Sequence, residues 1–413
     1  MRRRVQVACG LLMALGLCSV GRTAEWVQTW GAAPLPPTPA AGPFPATPSF
    51  ENVTIRQIVR VSSGGQRLRI RFTNEYGSKP LAIGAARVAI ADEKGAIQPR
   101  SERGLTFAGK PSVSIPAGAP FLSDPIALPV GNLAILSISI YLPEATGACT
   151  CHATGMQNAF VSGAGDYTGK PFEPQQTIGS RAFLSGVEVE VARGARAIVV
   201  LGDSISDGVG STVDANHRWP DLLAKRLDAT ARPNWGIVNM GISGNQVLTD
   251  GAGQSALARF DRDVLAVPGA QVLVIFEGVN DLGVSYGHVE GPLAEAFKNW
   301  IPASKATADS LIGAYRQMID RAHAHGLRVL AATITPYGGA AYYSQEGEAI
   351  RQTVNAWIRT NREVDGVLDF DKTIRDPADP TQIRDGYHPG DHLHGTDAAY
   401  AAMAAAVDLS LLR

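Results

Sequence analysis

Cysteine is scarce. The 413 residues hold four, and two of these, Cys9 and Cys18, fall near the amino terminus. The other two, Cys149 and Cys151 in GACTCHA, lack the further ligands that a zinc site needs. Bridging a C-x-C is geometrically strained, so the pair reads as a local disulfide or as free thiols without a catalytic part. Long apolar runs are also missing: the one from Val5 to about Val20 is short for a membrane span. There is no basic block, and the formal net charge is −1, which argues against a nucleic-acid partner. Internal repeats are absent. A composition of 45% hydrophobic and 18% charged residues argues against disorder.

What is present divides the chain into unlike stretches, and its length alone suggests two domains. Arg2, Arg3 and Arg4 precede the short apolar run, and small residues follow it. That is the pattern of a cleaved secretory leader over residues 1–24, cut after Gly21 or Ala24. Leu17, not a small residue, precedes Cys18, which disfavours a lipoprotein anchor. The expectation is a secreted or periplasmic protein with no stable membrane anchor after processing. Residues 25–50 are rich in Pro and Ala and cannot form a regular helix. They are expected to lie as an extended arm over a surface.

Over residues 51–193 the apolar period is two. In QRLRIRFTNEYG, Leu68, Ile70 and Phe72 share one face, and Arg67, Arg69 and Arg71 the other. Short strands between Gly, Pro, Asn and Ser turns predict an antiparallel, jelly-roll-like β-sandwich. The arginine face reads as solvated, or as a surface for sugar. From residue 196 to 413 the pattern changes to apolar strands alternating with helical segments. Strands are expected at 197–201, 236–240, 271–276, 327–333 and 366–370. Helices are expected in WPDLLAKRLDAT, SLIGAYRQMIDRAHAHG and GEAIRQTVNAWIRTN, and from about Thr396 onward. Trp219 reads as core at a helix start, with Pro220 in the first turn. Such alternation predicts an α/β fold, a parallel sheet covered on both faces. Functional groups then gather at the carboxyl ends of the strands.

Four of those ends carry polar residues. They are Ser204 in LGDSISDG; Gly241, Gly244 and Asn245 in NMGISGNQ; Gly278, Asn280 and Asp281 in FEGVNDLG; and the run RDGYHPGDHLHGTDAAYAAMA. Singly, each has a plain structural use: a positive φ at Gly244, satisfied loop amides at Asn280, helix capping by the histidines. Together they supply what acyl transfer needs: a hydroxyl nucleophile, a base and an orienter for it, and donors for an oxyanion.

These blocks resemble those of the GDSL, or SGNH, hydrolases, a family of serine esterases and lipases; the resemblance covers about residues 196–413. The G-x-S-x-G elbow of α/β-hydrolases is absent around Ser204. The resemblance implies a three-layer α/β/α sandwich with a flavodoxin-like parallel sheet. It also implies Ser204 as nucleophile, with the Ser204 N–H, Gly244 and Asn280 as oxyanion donors; Gly241 is the weaker glycine candidate. Two D-x-x-H pairs compete for the remaining roles. The roles go to Asp391 and His394, which stand at the family's spacing from the last helix, with Thr396 or Asp397 as its cap. Asp385 and His388 lie six residues earlier, although Pro389 follows His388 as in the family pattern and Gly395 follows His394. The resemblance implies no cofactor or metal, and an ester of a small molecule or polysaccharide as substrate.

Residues 283–310 form a long insertion beyond Asn280. Its Tyr286, His288, Phe297 and Trp300, together with His388, are candidates to line the substrate pocket or to pack the insertion down. A second candidate rim is TPYGGAAYYSQ at 335–345. The histidines of HPGDHLH suggest zinc, but zinc accounts for neither Ser204 nor Asn280. A non-catalytic glycan-binding protein is the remaining alternative. The intact set of polar residues argues against it. Substrate reading from sequence goes no further than an acetyl or other short acyl group on a carbohydrate, or a general lipase or short-chain esterase. Oligomeric state is not legible.

Overall fold

The computed structural model describes residues 25–412, apart from 43, 94, 192–193, 195 and 231–234. The expected leader lies outside the described residues. No described helix is long and apolar enough to cross a membrane.

The amino-terminal part is built from antiparallel sheets. In the first, strands run in the order Glu25–Gly31, Leu184–Val191, Gly65–Thr73 and Pro120–Leu122, with Ile126–Val130 also paired to Gly65–Thr73. In the second, the order is Gln176–Ile178, Ala159–Ala164, Val53–Arg60, Ile135–Leu142, Ala85–Ala91 and Arg103–Gly104. Leu68, Ile70 and Phe72 are fully buried, as their period of two requires.

Two sequence readings need correction here. The start of the Pro-rich arm is not a loose extension: Glu25–Gly31 is an edge strand paired with Leu184–Val191. EWVQTWG contains no proline, so its backbone donors remain free for the ladder. The arginine face is not simply solvated either. Arg69 donates to Glu188 at 2.7 Å and lies 4.4 Å over the Trp26 ring. Arg67 pairs with Glu190 at 3.2 Å, and Arg71 with Glu75 at 3.3 Å. Glu188 and Glu190 sit on the neighbouring strand, where cross-strand pairing of opposite charges favours the register, and Glu75 lies in the turn after Arg71's own strand. Cys149 and Cys151 are joined as a disulfide.

From Arg196 onward the chain forms a five-stranded parallel sheet. Its order is Trp235–Gly241, Arg196–Gly202, Ala270–Phe276, Arg328–Ala332 and Gly366–Leu368. Ala197 to Leu201 are wholly buried, as expected of a strand covered on both faces. Helices Trp219–Asp228, Phe370–Ile374 and Asp397–Ala406 pack with one another. A second group consists of Ala256–Phe260, Val279–Tyr286, Ala308–Ala324 and Gln345–Thr360. The architecture is the three-layer α/β/α sandwich. Winding runs outward in both directions from Arg196–Gly202, so the order reverses between that strand and Ala270–Phe276. Ligands bind at such a switch point, beyond the carboxyl ends of the strands. Ser204 follows one of these two strands and Asn280 the other. Trp219 is fully buried, at the start of its helix.

The two parts touch along the strand Glu25–Gly31. Gln28 N–H donates to Pro268 O at 3.0 Å, and Ile237 N–H to Ser62 Oγ at 2.7 Å. One contiguous hydrophobic core runs through both.

Candidate active site

Ser204 opens a single helical turn, Ser204–Asp207, just after the strand Arg196–Gly202. The turn begins because Asp203 caps it, its carboxylate accepting from Ile205 N–H at 2.9 Å. It ends at Gly208, whose φ of 98° suits glycine. The short turn leaves Ser204 N–H without a helical partner. Among the described residues it has no protein acceptor.

The carboxy-terminal run brings the base to this serine. His394 Nε2 lies 2.8 Å from Ser204 Oγ, and His394 Nδ1 lies 2.6 Å from Asp391 Oδ2. The carboxylate side of the ring carries the proton, so Nε2 faces the hydroxyl with its lone pair. Asp391 Oδ1 accepts from the N–H groups of Leu393 and His394, at 3.0 and 3.1 Å. Burial pushes the Asp391 carboxyl up. The hydrogen bond and charge of His394 and the two amides outweigh this and leave it at about 2. Asp385 makes no hydrogen bond to His388 among the described residues. His388 Nδ1 instead accepts from Gly390 and His392 N–H, and its ring stacks on His392 at 4.2 Å.

Two residues of the last helix hold the serine and histidine loops together. Tyr400 Oη donates to Val209 O at 2.5 Å and accepts from Gly395 N–H at 3.3 Å. Asp397 accepts from Thr212 N–H at 2.8 Å, Thr212 Oγ1 at 2.7 Å and His217 Nδ1 at 2.8 Å.

Gly244 occupies the third position of a turn closed by Asn245 N–H to Ile242 O at 3.0 Å. Its φ of 80° is what a type II turn demands there. Among the described residues Gly244 N–H has no protein acceptor. Asn280 Nδ2 donates to Asn245 O at 2.9 Å, and its Oδ1 accepts from Tyr342 Oη at 3.2 Å. One amide hydrogen of Asn280 is thus used to tie the glycine loop, and the second has no acceptor among the described residues.

Behind the serine lies a buried group of acids. Burial pushes Asp203 and Asp281 up to about 7. Burial, with Asp203 nearby, raises Glu277 as well. Arg259 answers part of this charge, bonding Asp263 at 3.1 Å and Glu277 at 3.3 Å. Asp281 accepts from Val247 and Leu248 N–H at 2.8 and 3.0 Å, which anchors the loop that carries Gly244.

The candidate pocket residues separate. Trp300 packs against the glycine loop: a Cβ added at Gly244 would lie 2.9 Å from its ring. Its ring centroid is 5.0 Å from that of Phe297, which in turn is 6.0 Å from Tyr342. Tyr286 is a tether instead, donating to Ala306 O at 2.8 Å with Lys305 over its ring. His288 is 88% exposed, paired with Glu290, so the pocket reading fails for it. His388 is taken up by its own turn, as above. Part of the insertion is helical, Val279–Tyr286 and Pro292–Phe297. No group of three His, Cys, Asp or Glu placed to hold a metal occurs among the described residues.

Sequence reasoning passed over Asp207 and Ser243, which stand inside the quoted blocks. Ser243 donates to Asp207 Oδ2 through its N–H at 3.1 Å and its hydroxyl at 2.8 Å. A buried acid three residues after Ser204 was the available signal.

Residues 200–402 match the family described as GDSL-like lipase/acylhydrolase. This part of the chain is a GDSL-like acylhydrolase domain. The protein is accordingly an ester hydrolase. No curated protein matches the chain. Solved structures similar to this chain include a GDSL-like lipase from Bacteroides thetaiotaomicron, at 18% identity and a TM-score of 0.39 over 54% of this chain and 92% of that one. A lipase/acylhydrolase from Enterococcus faecalis gives 18%, 0.37, 51% and 92%. A carbohydrate acetylesterase family member from Sinorhizobium meliloti gives 14%, 0.39, 52% and 99%. The assignment rests on the family match.

Proposed function

We propose that the protein is a secreted serine esterase that removes acetyl or other short acyl groups from carbohydrate through an acyl-enzyme. The observation that carries the mechanism is the chain Asp391–His394–Ser204, at 2.6 and 2.8 Å. His394 takes the Ser204 proton as Oγ attacks the ester carbonyl. The carbonyl oxygen, now an oxyanion, sits against Ser204 N–H, Gly244 N–H and the second amide hydrogen of Asn280. Collapse breaks the ester bond, and His394 passes its proton to the departing alcohol. Water attacks the acyl-enzyme by the same route and frees the acid and Ser204. In this reading residues 196–413 form the catalytic domain and residues 51–193 a separate sandwich.

The acyl reading rests on Trp300, packed with Phe297 against the glycine loop, which leaves little room beside Gly244. The alcohol reading rests on openness: the Asp391 side chain is 41% exposed, so a bulky sugar can approach the base. Secretion is supported by the leader pattern in residues 1–24 and by the Cys149–Cys151 disulfide, which persists in oxidising compartments. Ser204→Ala is expected to abolish acylation bursts and turnover of p-nitrophenyl acetate while the circular dichroism spectrum is unchanged. Undiminished turnover in that variant ends the mechanism. Acetylated xylan, acetylated sugars and p-nitrophenyl esters of rising chain length decide the substrate. A preference for long acyl chains returns a lipase.

A further inference from the structure

His152 belongs to a short strand of the amino-terminal part, Cys151–His152, next to the disulfide. Its ring nevertheless ends inside the catalytic region. Nε2 lies 2.9 Å from Asp207 Oδ1 and 3.2 Å from Thr154 O, and Nδ1 lies 3.0 Å from Ala33 O. Every one of these partners is an acceptor. A lone pair on Nδ1 would confront the Ala33 carbonyl, and a lone pair on Nε2 the Thr154 carbonyl. Both nitrogens therefore carry protons, and the ring is an imidazolium. The other oxygen of Asp207 accepts the N–H and hydroxyl of Ser243, the residue before Gly244. The peptide between Ser243 and Gly244 carries the N–H assigned to the oxyanion, so whatever orients Ser243 aims that donor.

We propose that His152 is a positioning residue for the oxyanion glycine, acting as an imidazolium through Asp207 and Ser243. The inference rests on the serine-esterase reading above. It makes the antiparallel part of the chain a support for catalysis and not only an attached module. The charged groups facing the ring are Asp207 in front, Arg181 directly opposite on the paired strand, and Arg218 beside Asp207. Asp214 acts on Arg181, and Asp203 on the Asp207 side. Burial acts to lower His152, and Arg181 adds to that, but Asp207 and the Ala33 carbonyl together raise it above the ordinary imidazole value. Loss of one ring proton at higher pH leaves a single N–H for Ala33 and Asp207, so one contact breaks and the glycine loop loosens. The protein thus acquires an alkaline fall in kcat that depends on His152.

The test uses the full chain with p-nitrophenyl acetate, followed as kcat and KM against pH. His152→Phe is expected to lower kcat about 10- to 100-fold, less than the ~10²–10³ for outright loss of an oxyanion donor, with KM within about threefold. His152→Gln still donates to Asp207, so it should recover most of kcat and lack the alkaline fall. Unchanged kcat in folded His152→Phe overturns the proposal, as does a rise in KM at constant kcat. Should His152→Phe not fold, Ser243→Ala tests the same link from the other side. It is expected to lower kcat at constant KM, and full activity in that variant overturns the link. Ser204→Ala is measured in parallel. If it is inactive while the His152 and Ser243 variants are fully active, the esterase mechanism stands and only this inference falls.

Discussion

At the scale of single residues, the proposed triad is asymmetric in exposure. The Asp391 side chain is 41% exposed and that of His394 is 18% exposed, while Ser204 is buried. A part-exposed pairing of this kind contributes little to stability, about 0–1 kcal/mol. Its value here is orientation. Asp391→Ala is therefore expected to lower kcat by roughly 10²–10⁴-fold, with a Tm close to that of the unchanged protein; full activity would remove Asp391 from the mechanism. Gly244 is the opposite case. Its φ of 80° disfavours a side chain, and a Cβ would meet Trp300 at 2.9 Å and Ala252 at 3.0 Å. Gly244→Ala should cost about 1–3 kcal/mol of stability from backbone strain, readable by urea titration. Its kcat should fall by about 10²-fold as the donor moves. A variant with native stability and turnover would show that the loop adapts and that its donor is not used. At this scale much was legible in the sequence, because Ser204, Gly244, Asn280 and the Asp-x-x-His pairs each stand in short blocks. His152 was not, because its meaning depends on Asp207, which lies far along the chain and meets it only in the fold.

At the scale of elements, legibility followed burial. The parallel strands are mostly apolar runs that end at glycine or a polar residue, and their observed limits fall close to the expected ones. The strand Glu25–Gly31 was hidden by the prolines that follow it, although it contains none itself. The arginine face of Gly65–Thr73 was misread for a different reason. Its partners Glu188 and Glu190 lie on a strand distant in sequence, and period alone cannot pair strands. The insertion after Asn280 was seen, but its residues could not be sorted into pocket wall and tether without coordinates. Trp300 is the wall. Trp300→Ala removes the ring packed against the glycine loop. It is expected to raise kcat/KM for p-nitrophenyl butyrate relative to the acetate ester severalfold. No change in that ratio would place the acyl group elsewhere.

For the whole molecule, the acids behind the serine set how stability depends on pH. Asp203 and Asp281 are pushed up to about 7, and Glu277 is raised, by burial above all. The unfolded chain releases these protons near pH 4, whereas the folded protein keeps them to higher pH. The folded state binds more protons in that window, so stability falls as pH rises from about 4 to 7. His152 acts in the same direction, because its raised value means that its contribution is complete below about 6.5 and lost above its folded value. Asp391, lowered to about 2, acts oppositely, but only between about pH 4 and 2. The Tm is therefore expected to drop between pH 5 and pH 8. Glu277 offers a clean check, since its Oε2 is buried and no donor among the described residues supports a charge on it. Glu277→Gln keeps the shape and removes the titration, so it should fold and show a shallower decline. A Tm that rises across that interval in the unchanged protein would mean that these carboxyls are ionised in the fold, balanced by Arg259 and its neighbours more fully than one guanidinium shared with Asp263 allows.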